Sequence, residues 1–74
     1  MEVNHEEILI KLGSKIRQQR LAINISQEAL ASKCNFDRTY ISMLERGKRN
    51  PSYINLLKLC HGLEIQITDL LKDI

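Results

Sequence analysis

Apolar residues in this chain recur at helical spacing. Ile8, Leu9, Leu12, Ile16 and Ile23 follow a period of three to four behind an Asn4–Glu7 pair placed like a capping box, so a first helix is expected from about Asn4 to Ala22. Gly13 weakens the middle of that segment by about 1 kcal/mol relative to Ala, which makes a later start near Gly13 the alternative. Ser26 is a good N-cap for a second helix ending near Cys34, with Ala29, Leu30 and Cys34 on one face. Asp37 is placed to cap a third helix, which stops at Gly47, a residue suited to the left-handed position after a helix. The basic, turn-like segment KRNP follows. Past it, Ser52 caps a fourth helix through Ile54, Leu57, Leu59 and Cys60, ending near Gly62, and Thr68 and Asp69 open a short fifth, DLLKDI. No stretch alternates like a strand, so the expected class is all-α, a compact five-helix domain.

The segment from Gln27 to Gly47, QEALASKCNFDRTYISMLERG, has the spacing of a helix-turn-helix formed by the second and third helices. Ala31, Ile41 and Leu44 fall where two helices crossing at a tight angle need one small and two branched apolar residues. Asn35 stands at the bend, and Asn accepts a positive φ better than most non-glycine residues.

Length and composition narrow the picture. The chain has 74 residues and is 43% apolar, which fits one small domain over residues 1–74. Chains of this size bury only about 60% of the surface that their unfolded form exposes, so stability should be modest. No apolar run approaches the roughly 18 residues of a membrane span, and the acidic start MEVNHEEIL lacks a basic-then-apolar leader pattern, so a cytoplasmic protein with no membrane partner is expected. Cys34 and Cys60 are too few for a disulfide framework and are expected as thiols, Cys34 packed at a helix end. With His61 they have no CxxC or HxxxH spacing, so no metal and no cofactor is expected. His5 and His61 have no nucleophile or carboxylate at useful spacing, so the chain is not read as an enzyme.

The net charge of +2 conceals a segregation. Lys11 to Arg49 holds nine basic residues against three acidic ones, a balance of +6, while the first ten residues carry −3 and residues 50–74 carry −1. A polyanion suits that middle stretch; a solvated basic face with no partner is the plain alternative. With only Phe36, Tyr40 and Tyr53 aromatic, RNA is the weaker choice and double-stranded DNA the better one.

In a helix-turn-helix the second helix enters the major groove and its first residues reach the base edges. Arg38, Thr39, Tyr40 and Ser42 are the candidate base readers, with Ile41 and Leu44 turned to the core. The Arg38 fork can meet guanine O6 and N7 together, a contact worth about 1 to 3 kcal/mol of discrimination; a surface ion pair with Asp37 or Glu45 is its alternative. Thr39 offers a methyl to thymine or a hydroxyl to phosphate. Tyr40 either offers its hydroxyl to DNA or packs over the second helix. Gln27 is placed to donate to a phosphate at a helix N-terminus, and Arg46, Lys48, Arg49 and Asn50 follow the third helix as backbone contacts.

These residues, together with Arg17, Arg20, Ser26 and the tail NPSYINLLKLCHGLEI, resemble the lambda-repressor-like, XRE-type helix-turn-helix family over nearly the whole chain, from Leu9 to Leu71. DRTYIS followed by ERGKRN looks most like the controller proteins of bacterial restriction-modification systems. The resemblance implies a dimeric transcription regulator that binds inverted-repeat operators upstream of its own gene and of the endonuclease gene. It favours Arg49 and Asn50 as the closer pair on DNA, and it places Arg20 and Glu45 where phage-repressor members hold an ion pair between the first and third helices. RNA polymerase is a further candidate partner, through Glu28 or Glu45. A Cro-like phage repressor and an autorepressing antitoxin are the competing readings.

One such domain reads only about five base pairs, so a homodimer is expected. The apolar residues of a C-terminal region at about 63–74 supply the surface: Leu63 and Leu70 should close the domain's own core, leaving Ile65, Ile67, Leu71 and Ile74 for a second subunit. Asn24 and Asn35 stand where the family often has Gly. Gly62 stands where Ala is usual and Glu64 where Gly is usual, departures that bear on the end of the fourth helix and on dimer geometry.

Overall fold

The computed structural model describes residues 4–74; Met1, Glu2 and Val3, part of the acidic start, lie outside the described residues. Five helices make up the described chain: α1 His5–Ala22, α2 Gln27–Cys34, α3 Arg38–Glu45, α4 Tyr53–Leu63 and α5 Ile67–Leu71. Asn4, Ser26 and Ser52 each accept a hydrogen bond from the backbone N–H three residues on, which fixes the starts of α1, α2 and α4. Asp37 holds the N-cap position of α3 but makes no side-chain cap; the first turn closes instead through Tyr40 N–H and Ile41 N–H on the Asp37 carbonyl.

Each of the four connections bends through a residue with positive φ. Asn24, Asn35 and Glu64 lie near φ 60°, and Gly47 at 72° lets Lys48 N–H return to the Met43 carbonyl as α3 ends. Glu64 occupies the position that Gly would take with less strain, and α4 runs one residue past Gly62 to reach it. The fifth helix begins earlier than its sequence suggests. Gln66 and Asp69 form a capping box, so the helix opens at Ile67 and ends at Leu71, leaving Lys72 and Asp73 outside it.

Ile16, Leu30, Ile41, Leu44, Leu59, Leu63 and Leu70 are fully buried and join all five helices in one core. Each such side chain contributes about 1.5 to 3 kcal/mol of transfer free energy. Ala31, rather than Ala29, completes the buried face of α2 with Leu30 and Cys34. α1 packs on α3 and α5, and α2 packs on α3 and α4.

Gly13 does not delay the first helix. A Cβ there would run into the carbonyl oxygen of Leu44 and lie 2.6 Å from that of Glu45, so its missing side chain is what lets α1 lie against the end of α3. Gly62 has the same function between α4 and α2, where a Cβ would meet Cys34 Sγ.

Candidate nucleic-acid interface

The third helix carries the candidate readers because its other side is fixed. Ile41 and Leu44 are buried, and one turn apart they turn Arg38 and Thr39 to solvent. Ser42 and Tyr40 are half-buried. Arg38 makes no ion pair among the described residues, because Glu45, one of the two partners considered for it, is taken by Arg20.

That ion pair is a buried, two-pronged clamp. Arg20 Nε donates to Glu45 Oε2 at 2.6 Å and Nη2 to Oε1 at 3.0 Å, while Nη1 donates to the Ile25 carbonyl at 2.9 Å. The two side chains are 9% and 3% exposed, so the pair joins α1 to the end of α3 away from water. The hydrogen bonds to Glu45 hold the Arg20 guanidinium above its ordinary range, against the opposing effect of burial. Such burial removes Glu45 from any surface patch a polymerase could touch. Glu28 is exposed on α2.

Gln27 is drawn into the same cluster. Its Nε2 donates to Glu45 Oε1 at 3.1 Å, which commits one amide hydrogen inward and leaves the other, with the backbone N–H groups of Gln27 and Glu28 at the open end of α2, for an anion outside. The sequence placed Gln27 on phosphate alone; its link to the ion pair follows from tertiary packing.

The loop after α3 folds back toward the beginning of that helix. Arg49 lies over the Tyr40 ring, its guanidinium carbon 5.0 Å from the centroid, while Phe36 meets the ring edge-to-face at 5.0 Å and 66°. Asn55 of α4 donates from Nδ2 to the Tyr40 hydroxyl at 3.0 Å. Contact with Tyr40 brings Arg49 beside the first turn of α3, whereas Arg46 lies along the helix end with Nε on the Ser42 carbonyl. Lys48 and Asn50 are exposed. Asn55 had no motif to announce it. The only cue was its place in the first turn of the fourth helix.

The apolar C-terminus divides as burial dictates. Leu63 and Leu70 are fully buried, and Ile65 and Ile67 are half-buried against the same core. Leu71 and Ile74 remain about two-fifths exposed. Sequence reasoning missed a second apolar face on α4, where Tyr53 and Ile54 are 64% and 60% exposed and Leu57 borders a shallow groove beside Lys33, Lys58 and His61. No helix among the described residues is long and apolar enough to cross a membrane, and none of their His, Cys, Asp and Glu side chains gather as a possible metal site.

Comparison with known proteins finds relatives over most of the chain. The helix-turn-helix family matches residues 16–70. Control protein C.MunI of a Mycoplasma species is 42% identical over 69 residues, 92% of this chain and 93% of its own length. Control protein C.BamHI of Bacillus amyloliquefaciens is 49% identical over 65 residues, 86% of this chain and 80% of its own. The crystal structure of the restriction-modification controller protein C.AhdI from Aeromonas hydrophila superposes with a TM-score of 0.83 at 43% identity, covering 85% of this chain and 96% of that one.

Proposed function

The chain belongs to the helix-turn-helix family, and from that premise we propose that it is a sequence-specific, DNA-binding transcriptional regulator of the restriction-modification controller kind, binding inverted-repeat operators as a homodimer. One observation carries the reading: Arg38 and Thr39 stand exposed on the first turn of a helix whose far end is locked to α1 by the buried Arg20–Glu45 pair. A rigid helix with a free guanidinium at its leading end can present a planar pair of donors to guanine without first ordering itself. Identity of 42% and 49% with two control proteins supports the controller kind.

In this reading Arg38, Thr39, Tyr40 and Ser42 face bases. The open N-terminus of α2 at Gln27, with Arg46, Lys48, Arg49 and Asn50, holds the flanking phosphates and fixes register. A second subunit covers Leu71 and Ile74, with Ile65 and Ile67 beside them, and the α4 face around Ile54 is the competing contact. The protein acts in the cytoplasm, on the nucleoid, and RNA polymerase would reach it through Glu28.

Selection of bound duplexes from a random pool at about 150 mM salt, where non-specific phosphate binding is weakened, tests the reading. An enriched inverted repeat that loses a guanine preference in Arg38→Ala supports it; absence of any enriched sequence refutes it. Sedimentation of Ile74→Glu and Ile54→Glu tells which face pairs, and a wild type that stays monomeric at high micromolar concentration refutes the dimer.

A further inference from the structure

Tyr40 is the most restrained of the four candidate readers. Its ring is held by Phe36 at the edge and Arg49 over the face, and its hydroxyl accepts from Asn55 Nδ2 at 3.0 Å. A phenolic hydrogen lies in the ring plane and turns away from a donor that already occupies one side of the oxygen. Among the described residues the hydroxyl donates to no acceptor, which leaves its hydrogen for a partner outside the chain. We propose that Asn55, in the first turn of α4, is a specificity-determining positioning residue: by donating to the Tyr40 hydroxyl it makes Tyr40 a hydrogen-bond donor only, directed at a base acceptor in the major groove.

The chemistry of base edges gives this a readable consequence. Guanine, adenine and thymine each show a major-groove acceptor, at N7 and O6, at N7, and at O4 respectively. Cytosine shows only its N4 donor there. A hydroxyl held as a donor therefore excludes cytosine at one position of each half-site, in the strand that Tyr40 faces. Asn55 never touches DNA in this account. It acts through Tyr40, and its own place in α4 is kept by the Ser52 cap on its backbone N–H at 3.1 Å.

The inference rests on the proposed reading of Tyr40 as a base contact, and its test separates the two. Duplex selection is run with the wild type, Tyr40→Phe, Asn55→Ala, Asn55→Asp and the Tyr40→Phe/Asn55→Ala double variant, with thermal melting of each as the folding control. The wild type should exclude cytosine at one position by about tenfold, roughly the worth of one well-placed hydrogen bond. Tyr40→Phe and Asn55→Ala should each flatten that position to about twofold while leaving every other position as it was, and the double variant should match Tyr40→Phe alone. Asn55→Asp takes the phenolic hydrogen for its carboxylate, turns the oxygen lone pairs outward and should make cytosine the favoured base. Uniform weakening in Asn55→Ala, or an unchanged profile there beside a flattened one in Tyr40→Phe, would overturn the inference. An unchanged profile in Tyr40→Phe overturns it too while leaving operator binding intact, whereas no enrichment by the wild type removes the proposed function itself.

Discussion

Replacing Glu45 by Ala should cost this domain much of its stability while removing none of the four candidate base-reading side chains. The substitution removes the acceptor of three hydrogen bonds, from Arg20 Nε at 2.6 Å, Arg20 Nη2 at 3.0 Å and Gln27 Nε2 at 3.1 Å. Arg20 keeps only its bond to the Ile25 carbonyl and stays largely out of water with an uncompensated charge. Breaking a buried pair from one side costs about 3 to 5 kcal/mol. A domain of this length has only about 4 to 11 kcal/mol in all. At about 4 to 8 °C per kcal/mol for a small domain, Tm should fall by about 12 °C or more. Arg38→Ala, at an exposed position with no partner among the described residues, should stay within about 0.5 kcal/mol of the wild type. Thermal unfolding followed by circular dichroism compares the two. The double variant Arg20→Met/Glu45→Leu supplies the diagnosis: with both charges gone and volume retained, most of the loss should be recovered. Equal melting temperatures for Glu45→Ala and Arg38→Ala would refute the argument, and failure of the double variant to recover would mean that shape rather than charge holds α1 to α3.

Gly13→Ala should destabilise by about 1 to 3 kcal/mol despite the better helix propensity of Ala, because its Cβ meets the Leu44 and Glu45 carbonyls; a raised Tm would show that α1 and α3 can separate at little cost. Gly62→Ala should also destabilise, since its Cβ meets Cys34 Sγ, and Cys34→Ala in the same chain should restore at least about 1 kcal/mol of it; additive losses in a denaturant cycle would count against the contact. Burial is the first cause raising both thiols, Cys34 and Cys60, above the ordinary thiol range; Asp69 adds to it at Cys60, while the Gly62 backbone and Lys33 oppose it at Cys34. The folded state therefore favours the neutral thiols, a contribution fully present below the ordinary thiol pKa and lost as pH rises through the raised values. Alkylation at pH 8 should run at least about tenfold slower in the native protein than in denaturant, and equal rates would contradict the burial of both groups.

Sequence alone determined what depends on local chemistry. Apolar period placed the helices, Ser26, Ser52 and Asn4 set three starts, and Gly47 and Asn35 marked two ends, because caps and left-handed residues act within a few positions of themselves. Arg20 and Glu45 came from resemblance, and their side chains meet at 2.6 Å in the structure. What escaped the sequence depends on separate segments meeting. Gly13 reads as a weak point in a helix until the end of α3 is seen to lie where its side chain would be. Gln27 reads as a phosphate donor until Glu45, eighteen positions away, proves to accept from it. Arg49, Phe36 and Asn55 converge on Tyr40 from a loop, a turn and a different helix, and no spacing rule links them. Of the C-terminal isoleucines, only packing distinguishes Ile65 and Ile67, drawn against the core, from Ile74 at the surface. Periodicity tells which residues share a face of their own helix; which atoms stand opposite that face is decided only when the helices pack.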